Sequence, residues 1–300
     1  MTPAAKGSLM RRVALAAVIT ALFLVTLKAI AFILTDSMAM MASLADSALD
    51  VFASFVNLLA VRQALTPADH EHRFGHGKAE PLAGLAQSAF IAGSAAFLVI
   101  ESVGRLIEPR PIAHGAIGLA VMAVSIGVTV LLVIAQEFTV RRTGSIAIGA
   151  DRLHYVGDIL VNFGVVIGIV LAANFGIAIA DPIAGLAVAA MLAVGVWHVF
   201  RQSYDQLMDR ELPDAERERI KTIVMAHPEV HDMHDLRTRA AGTTSFIQVH
   251  IELDPALSLL AAHALSDAVE ADIHAAYPNA EIIIHQDPEG LEQPAPLAKS

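Results

Sequence analysis

Asp46 and Asp50 stand four residues apart in "SLADSALDVF", inside a run from Ala39 to Ala60 that is otherwise suited to lipid. That run is about one bilayer thickness of helix at 1.5 Å per residue. A carboxylate at such depth costs roughly 2.5–3.5 kcal/mol on insertion scales, and intramembrane acids mark functional sites by default. His154 and Asp158, in "ADRLHYVGDIL", repeat the four-residue spacing. Residues four apart share a helix face. Counted from the basic ends of their runs, Asp50 and Asp158 reach the same depth, about 18 Å at 1.5 Å per residue. Asp46 falls about one turn deeper and His154 about one turn shallower. A lone acid could snorkel or pair with Lys28, but two pairs at matched depth point to one shared site. Three carboxylates and one imidazole form a tetrahedral O₃N set suited to Zn²⁺. Without a cation, three clustered carboxylates in lipid cannot all stay ionised. The cluster therefore holds either a dication or protons, and such exclusive occupancy is the chemistry of an exchanger.

The elements that must position these groups follow from composition. The 300 residues are 55% hydrophobic and 17% charged, too apolar for a soluble domain of this length. Cysteine is absent, which excludes thiolate chemistry and sulfur ligands and leaves His and carboxylate as metal donors. Six apolar stretches are long enough to span a bilayer, at about 13–34, 39–60, 82–107, 112–135, 146–173 and 177–200. The first follows Lys6, Arg11 and Arg12 but is too long for a signal-peptide core, so it reads as a retained helix. Short-loop Lys and Arg collect on one side, including Arg62, Arg73, Lys78, Arg141, Arg142 and Arg201, and this puts both termini in the cytoplasm.

The net charge of −10 is unevenly placed. Residues 209–289 hold six Lys/Arg against sixteen Asp/Glu, with seven of the thirteen histidines. Such a segment repels nucleic acid and attracts cations. "PDAERERIKTIVMA" reads as a helix, "HDLRTRAAGTTSFIQVHIELD" as two strands joined at Ala241–Gly242, "SLLAAHALSDAVEADIHAAYP" as a helix and "AEIIIHQDP" as a strand. The order αββαβ predicts helices on one face of a three-stranded sheet. The expected organisation is an all-α six-helix membrane domain over 1–208, a cytoplasmic α+β domain over 209–291 and a disordered tail over 292–300. Strand alternation puts His285 and Asp287 on one face, with His250 on the polar face of its own strand. The loop "ADHEHRFGHGKAE" offers Asp69, His70, Glu71, His72 and His76 as polar, metal-capable side chains.

"SLADSALD", "ADHEHRFGHGKAEPLA", "ADRLHYVGD", "HDLRTR", "FIQVHIELD" and "IIIHQDP" together resemble the cation diffusion facilitator family, in particular its bacterial zinc and ferrous-iron efflux branch. The resemblance spans residues 10 to 290. It implies a homodimer in the bacterial inner membrane, with six helices per chain and a ferredoxin-like cytoplasmic domain. It also implies exchange of cytoplasmic Zn²⁺ for external protons by alternating access. The family's intramembrane site maps onto Asp46, Asp50, His154 and Asp158 without substitution. The histidine favours zinc or cadmium over manganese, with Fe²⁺ a further candidate.

The same resemblance assigns Asp69, His72 and His76 to a loop site, with His70 and Glu71 as extra or competing ligands. It carries a two-metal cytoplasmic site onto His234, His250, His263, His285 and Asp287, with Asp287 as bridge and Asp235 as a weaker candidate. It makes Lys78 and Asp209 partners in inter-helix salt bridges that hold the dimer. Small residues such as Gly84, Ser88 and Gly93 permit close helix packing. His114, His198, His227, His231 and His274 match no ligand position, and Asn57 and Asn162 are candidate supports of the buried acids. Two other classes compete: a membrane metal sensor that does not transport, and an intramembrane metalloenzyme. The latter would want a His-Glu-x-x-His pair, which does not occur.

Overall fold

The computed structural model describes residues 1–35, 38–108, 116–175 and 179–290. The chain divides into two compact units, Met1–Tyr204 and Asp205–Ser300. Among its described residues the first holds six long helices: α1 (Pro3–Thr35), α2 (Met38–Ala64), α3 (Ala79–Ile107), α4 (Ala116–Thr143), α5 (Ile146–Phe175) and α6 (Ala180–Leu207). Among the described residues, segments long and apolar enough to cross a membrane are Ala4–Thr35, Ser43–Ala64, Ala79–Ile107, Ile117–Thr143 and Pro182–Leu207. In lipid a helix satisfies its own backbone donors and acceptors, which is why these apolar runs fold as continuous helices. α5 carries Asp151, Arg152 and Asp158 in its first half.

Several helices outrun the apolar stretches that announce them. α1 begins ten residues ahead of the expected 13, through Lys6, Arg11 and Arg12, and α4 continues past 135 through Arg141 and Arg142. Apolarity marks the lipid-crossing part, whereas the backbone ladder runs on into the polar margin. The tail over 292–300 lies outside the described residues.

The helices of this unit approach closely around α5. A Cβ at Gly157 would lie 2.9 Å from Leu192 Cδ2, and one at Gly195 would lie 2.6 Å from Leu153 Cδ1. Each helix of the α5–α6 pair thus seats a leucine on a glycine of the other, and the face of α5 that bears His154 and Asp158 is fixed by this fit. Tyr155, fully buried, anchors the helix on another side, its hydroxyl sharing a 2.7 Å hydrogen bond with Ser54 Oγ of α2.

The second unit has the order α7 (Asp214–Val224), β1 (Asp232–Ala241), β2 (Thr244–Leu253), α8 (Leu259–Ala276) and β3 (Ala280–Pro288). α7 starts directly after Pro213, and α8 is capped by Ser258, whose hydroxyl accepts from the Ala261 N–H. β1 and β2 are antiparallel across a two-residue link opened by Gly242 at φ 61; β2 and β3 are parallel, and α8 makes the crossover. Ile247, Val249, Ile251 and Leu253 of β2 point into a core shared with Ile220 and Val224 of α7 and Val269 and Ile273 of α8. The other sheet face therefore carries Gln248, His250, Glu252, His285 and Asp287.

Candidate metal centres

In the helical unit, Asp50 of α2 meets His154 and Asp158 of α5. His154 Nε2 lies 2.9 Å from Asp50 Oδ1 and 3.7 Å from Asp158 Oδ2. Asp50 and His154 are 5% and 6% exposed, and ligand atoms from the three residues lie within 4.8 Å of one another. Phe90 of α3 meets the imidazole edge-on at 5.6 Å between ring centroids, and Tyr155 does so at 5.4 Å. The triad opens into a cavity of about 940 Å³ whose wall includes Lys28, Asp46, Asp50, His154, Asp158 and Asn162. Asp46 thus shares the cavity but not the triad: it is exposed, one turn from Asp50 along α2. Four-residue spacing aligns two side chains on one face, yet it also separates them by about 6 Å along the axis. Asn162 donates to the Asp158 carbonyl at 2.8 Å rather than to its carboxylate, so it steadies the helix and not the acid. Asn57 is buried at 4% exposure.

Two further buried carboxylates escaped the sequence reading. Asp151, fully enclosed on α5, accepts from Gln136 Nε2 of α4 at 2.7 Å. Glu80 in the first turn of α3 accepts from Ser145 Oγ at 2.9 Å. Asp151 stands three residues before His154, the same-face spacing that could have drawn attention to it. Glu80 carried no such signal, because a first-turn acid is common for dipole reasons alone.

The loop between α2 and α3 draws Asp69, His72 and His76 together. Asp69 Oδ1 is 3.6 Å from His72 Nδ1, Asp69 Oδ2 is 3.4 Å from His76 Nε2, and the two rings stand 4.5 Å apart. The Asp69 carboxylate accepts the backbone N–H groups of His72 at 2.7 Å and Glu71 at 2.9 Å. The bond from the His72 amide above all, then the Glu71 amide and the two imidazoles, outweigh the opposing desolvation and hold its pKa below the usual carboxylate value. His70 and Glu71 are exposed and outside this group. Lys78 sits at the N-terminal boundary of α3.

On the polar face of the sheet, strand register lines up three histidines: His234 of β1 pairs with His250 of β2, which pairs with His285 of β3. Asp287, 3% exposed, is ringed by them. Its Oδ2 lies 2.8 Å from His250 Nδ1 and 3.3 Å from His234 Nε2, while its Oδ1 lies 3.0 Å from His285 Nε2. One carboxylate thus offers its two oxygens to different imidazoles, the geometry a bridging ligand needs. A bulge between His234 and Arg237, with Asp235 at φ 47, brings Asp235 Oδ2 to 3.9 Å from His250 Nε2. Glu252, a residue the alternating pattern placed on this face without a role, reaches His234 Nδ1 at 3.4 Å.

His263 is not among them. It lies on α8, in the helical layer, exposed beside Asp267 at 3.7 Å. The histidines read as non-ligating pair differently or stand apart: His231 with Glu289 at 2.7 Å, His227 with Asp272 at 3.2 Å, and His198 and His274 exposed. His114 lies outside the described residues. Asp209, at φ 55, faces Arg239 at 3.4 Å.

Buried acids and imidazole from two helices of one unit, with a histidine cluster in a second, acidic unit, define a membrane protein that handles divalent cations. Residues 14–208 match the family model of the cation efflux transmembrane domain, and residues 212–289 match that of the cation efflux protein cytoplasmic domain. The chain belongs to the cation diffusion facilitator family of divalent metal cation efflux transporters, multi-pass membrane proteins that are not enzymes. It is 44% identical over 277 residues to the cation-efflux pump FieF of Shewanella oneidensis, covering 92% of this chain and 93% of that one. It is 43% identical over 288 residues to the pump of the same name from Cronobacter sakazakii, covering 94% of each. Among solved structures, the metal-bound C-terminal domain of the CzcD transporter from Thermotoga maritima is 28% identical, covering 27% of this chain and 100% of that one, with a TM-score of 0.26.

Proposed function

We propose that the chain is a homodimeric antiporter of the bacterial inner membrane, exporting cytoplasmic Zn²⁺ in exchange for protons by alternating access, with both termini cytoplasmic. The six long helices are the six spans of a domain over 1–208, and residues 209–291 form a ferredoxin-like cytoplasmic domain. The observation that carries the reading is the meeting of Asp50, His154 and Asp158 across two helices, with Asp50 and His154 buried. Metal entering from the cytoplasm displaces protons from these groups, and Asp46 joins from one turn away once a dication draws the carboxylates inward. The bundle then rocks outward, and incoming protons compete the metal off. An imidazole among hard oxygen donors selects zinc or cadmium over manganese, with Fe²⁺ a further cargo.

Asp69, His72 and His76 form a peripheral loop site. His234, His250, His285 and Asp287 form the cytoplasmic centre, and His263, on the helical layer, completes a second metal position only across a dimer interface. Lys78 and Asp209 are dimer-stabilising charges rather than ligands. Zinc uptake into proteoliposomes with an internal pH dye tests the whole reading. Flux should be lost in Asp50→Ala and in Asp158→Ala while both variants still elute as dimers. Wild-type flux in either variant removes that residue from the site.

A further inference from the structure

Lys28, on α1 and only 9% exposed, lines the same cavity as Asp46, Asp50, His154 and Asp158. Its Nζ donates to Ser47 Oγ of α2 at 2.6 Å and to the Ser43 carbonyl at 3.3 Å. Ser47 falls between the two aspartates of α2, so the ammonium is tied to that helix at the level of the acidic pair. Among the described residues its bonds go to neutral oxygens, while its charge reaches Asp46 and Asp158 through space. A buried ammonium with only neutral partners needs acidic neighbours across the cavity.

A fixed positive charge on the wall of a cation site works against binding, and charges interact strongly where water is scarce. With Asp46, Asp50 and Asp158 ionised, the cavity walls carry three negative charges. Lys28 leaves a net two, which a dication cancels. Without Lys28, the metal-bound cavity would keep one uncompensated negative charge and hold its cargo. We infer that Lys28 is a tethered counter-cation of the transport cavity, setting the affinity for the divalent ion low enough for protons to displace it. It is a positioning and affinity-setting residue, not a ligand, and the inference rests on the transport-site reading above.

The test is initial zinc flux into proteoliposomes against zinc concentration and pH, using the full-length dimer. Lys28→Gln should lower KM for zinc at least tenfold, lower kcat, and require a more acidic lumen for half-maximal release. Lys28→Arg should keep KM within about threefold of wild type. Ser47→Ala removes the tether but not the charge, and it too should leave KM within about threefold; an equal effect of Ser47→Ala and Lys28→Gln would show a helix-pinning role and overturn the inference. If Lys28→Gln gives no flux, the purified dimer is loaded with zinc and dialysed at acidic pH. Retained zinc above the wild-type level supports trapping, and zinc at or below that level overturns it. An unchanged or raised KM in Lys28→Gln beside a dead Asp50→Ala defeats this inference alone. An active Asp50→Ala defeats the transport-site reading itself.

Discussion

A carboxylate within a membrane span is costly; Asp50 lies against the His154 imidazole at 2.9 Å, and in the proposed function a dication or a proton offsets the rest of that cost. Asp158 is tied to the same imidazole at 3.7 Å, whereas Asp46 stands one turn off. The three acids should therefore differ. Asp50→Ala and Asp158→Ala should lose zinc flux by a factor of at least about a hundred, the loss expected when a buried polar pair is broken. Asp46→Ala should lose about tenfold, the scale of one weaker contact. Zinc uptake by the three variants, normalised to reconstituted dimer, checks the order; a reversal would put Asp46 at the centre of the cage.

In the loop, Asp69 makes a pH prediction of definite sign. Its pKa is lowered in the folded loop, so the bonds to the His72 and Glu71 amides stabilise the turn above the ordinary value of 3.8 and are lost as pH falls through the lower folded value. The side-chain carbon shift of Asp69 should titrate with a midpoint below 3.8. A midpoint at or above that value would mean that the turn does not form in solution.

At the scale of elements, α5 is the part whose placement the site depends on most. It is held by the glycine–leucine exchange with α6 and by Tyr155 against Ser54. Gly157→Val should force α5 off Leu192, cost about 1–3 kcal/mol through overpacking, and lower flux, because His154 and Asp158 move with the helix. Thermal unfolding and zinc flux of the purified variant measure the two effects. Undiminished flux would show that α5 tolerates displacement.

Much of this level was legible in sequence. The apolar windows located the helices, the four-residue spacing put His154 and Asp158 on one helix face, and period-two alternation put His250, His285 and Asp287 on a polar face. What was not legible depends on pairing across elements. Only register sets His234 beside His250 and His285, and only the bulge turns Asp235 toward them. That α8 covers the opposite sheet face, taking His263 away from the cluster of its own chain, follows from which strand face is apolar. The linear motif could not convey it. The partners of Asp151 and Glu80, Gln136 and Ser145, lie on other stretches of the chain and no local spacing announces those pairings.

At the scale of the whole molecule, charge separates the two units. Through residue 208 the basic and acidic side chains balance, while residues 209–289 carry ten more acids than bases. Two such domains in a dimer repel one another, and dications bound at the Asp287 cluster would offset that repulsion. Small-angle scattering of the 209–291 fragment should show a smaller radius of gyration with zinc than without. An unchanged radius would separate metal loading from dimer closure.

The central claim is that protons and a divalent ion compete for one set of intramembrane groups. The most direct measurement is pH inside proteoliposomes while a zinc gradient is imposed across the membrane. The account predicts that zinc entering the lumen drives protons out, raising internal pH with an initial rate that follows zinc flux and vanishes in Asp50→Ala. Zinc flux at the wild-type rate with no change in internal pH, over the whole range of imposed gradients, would contradict it.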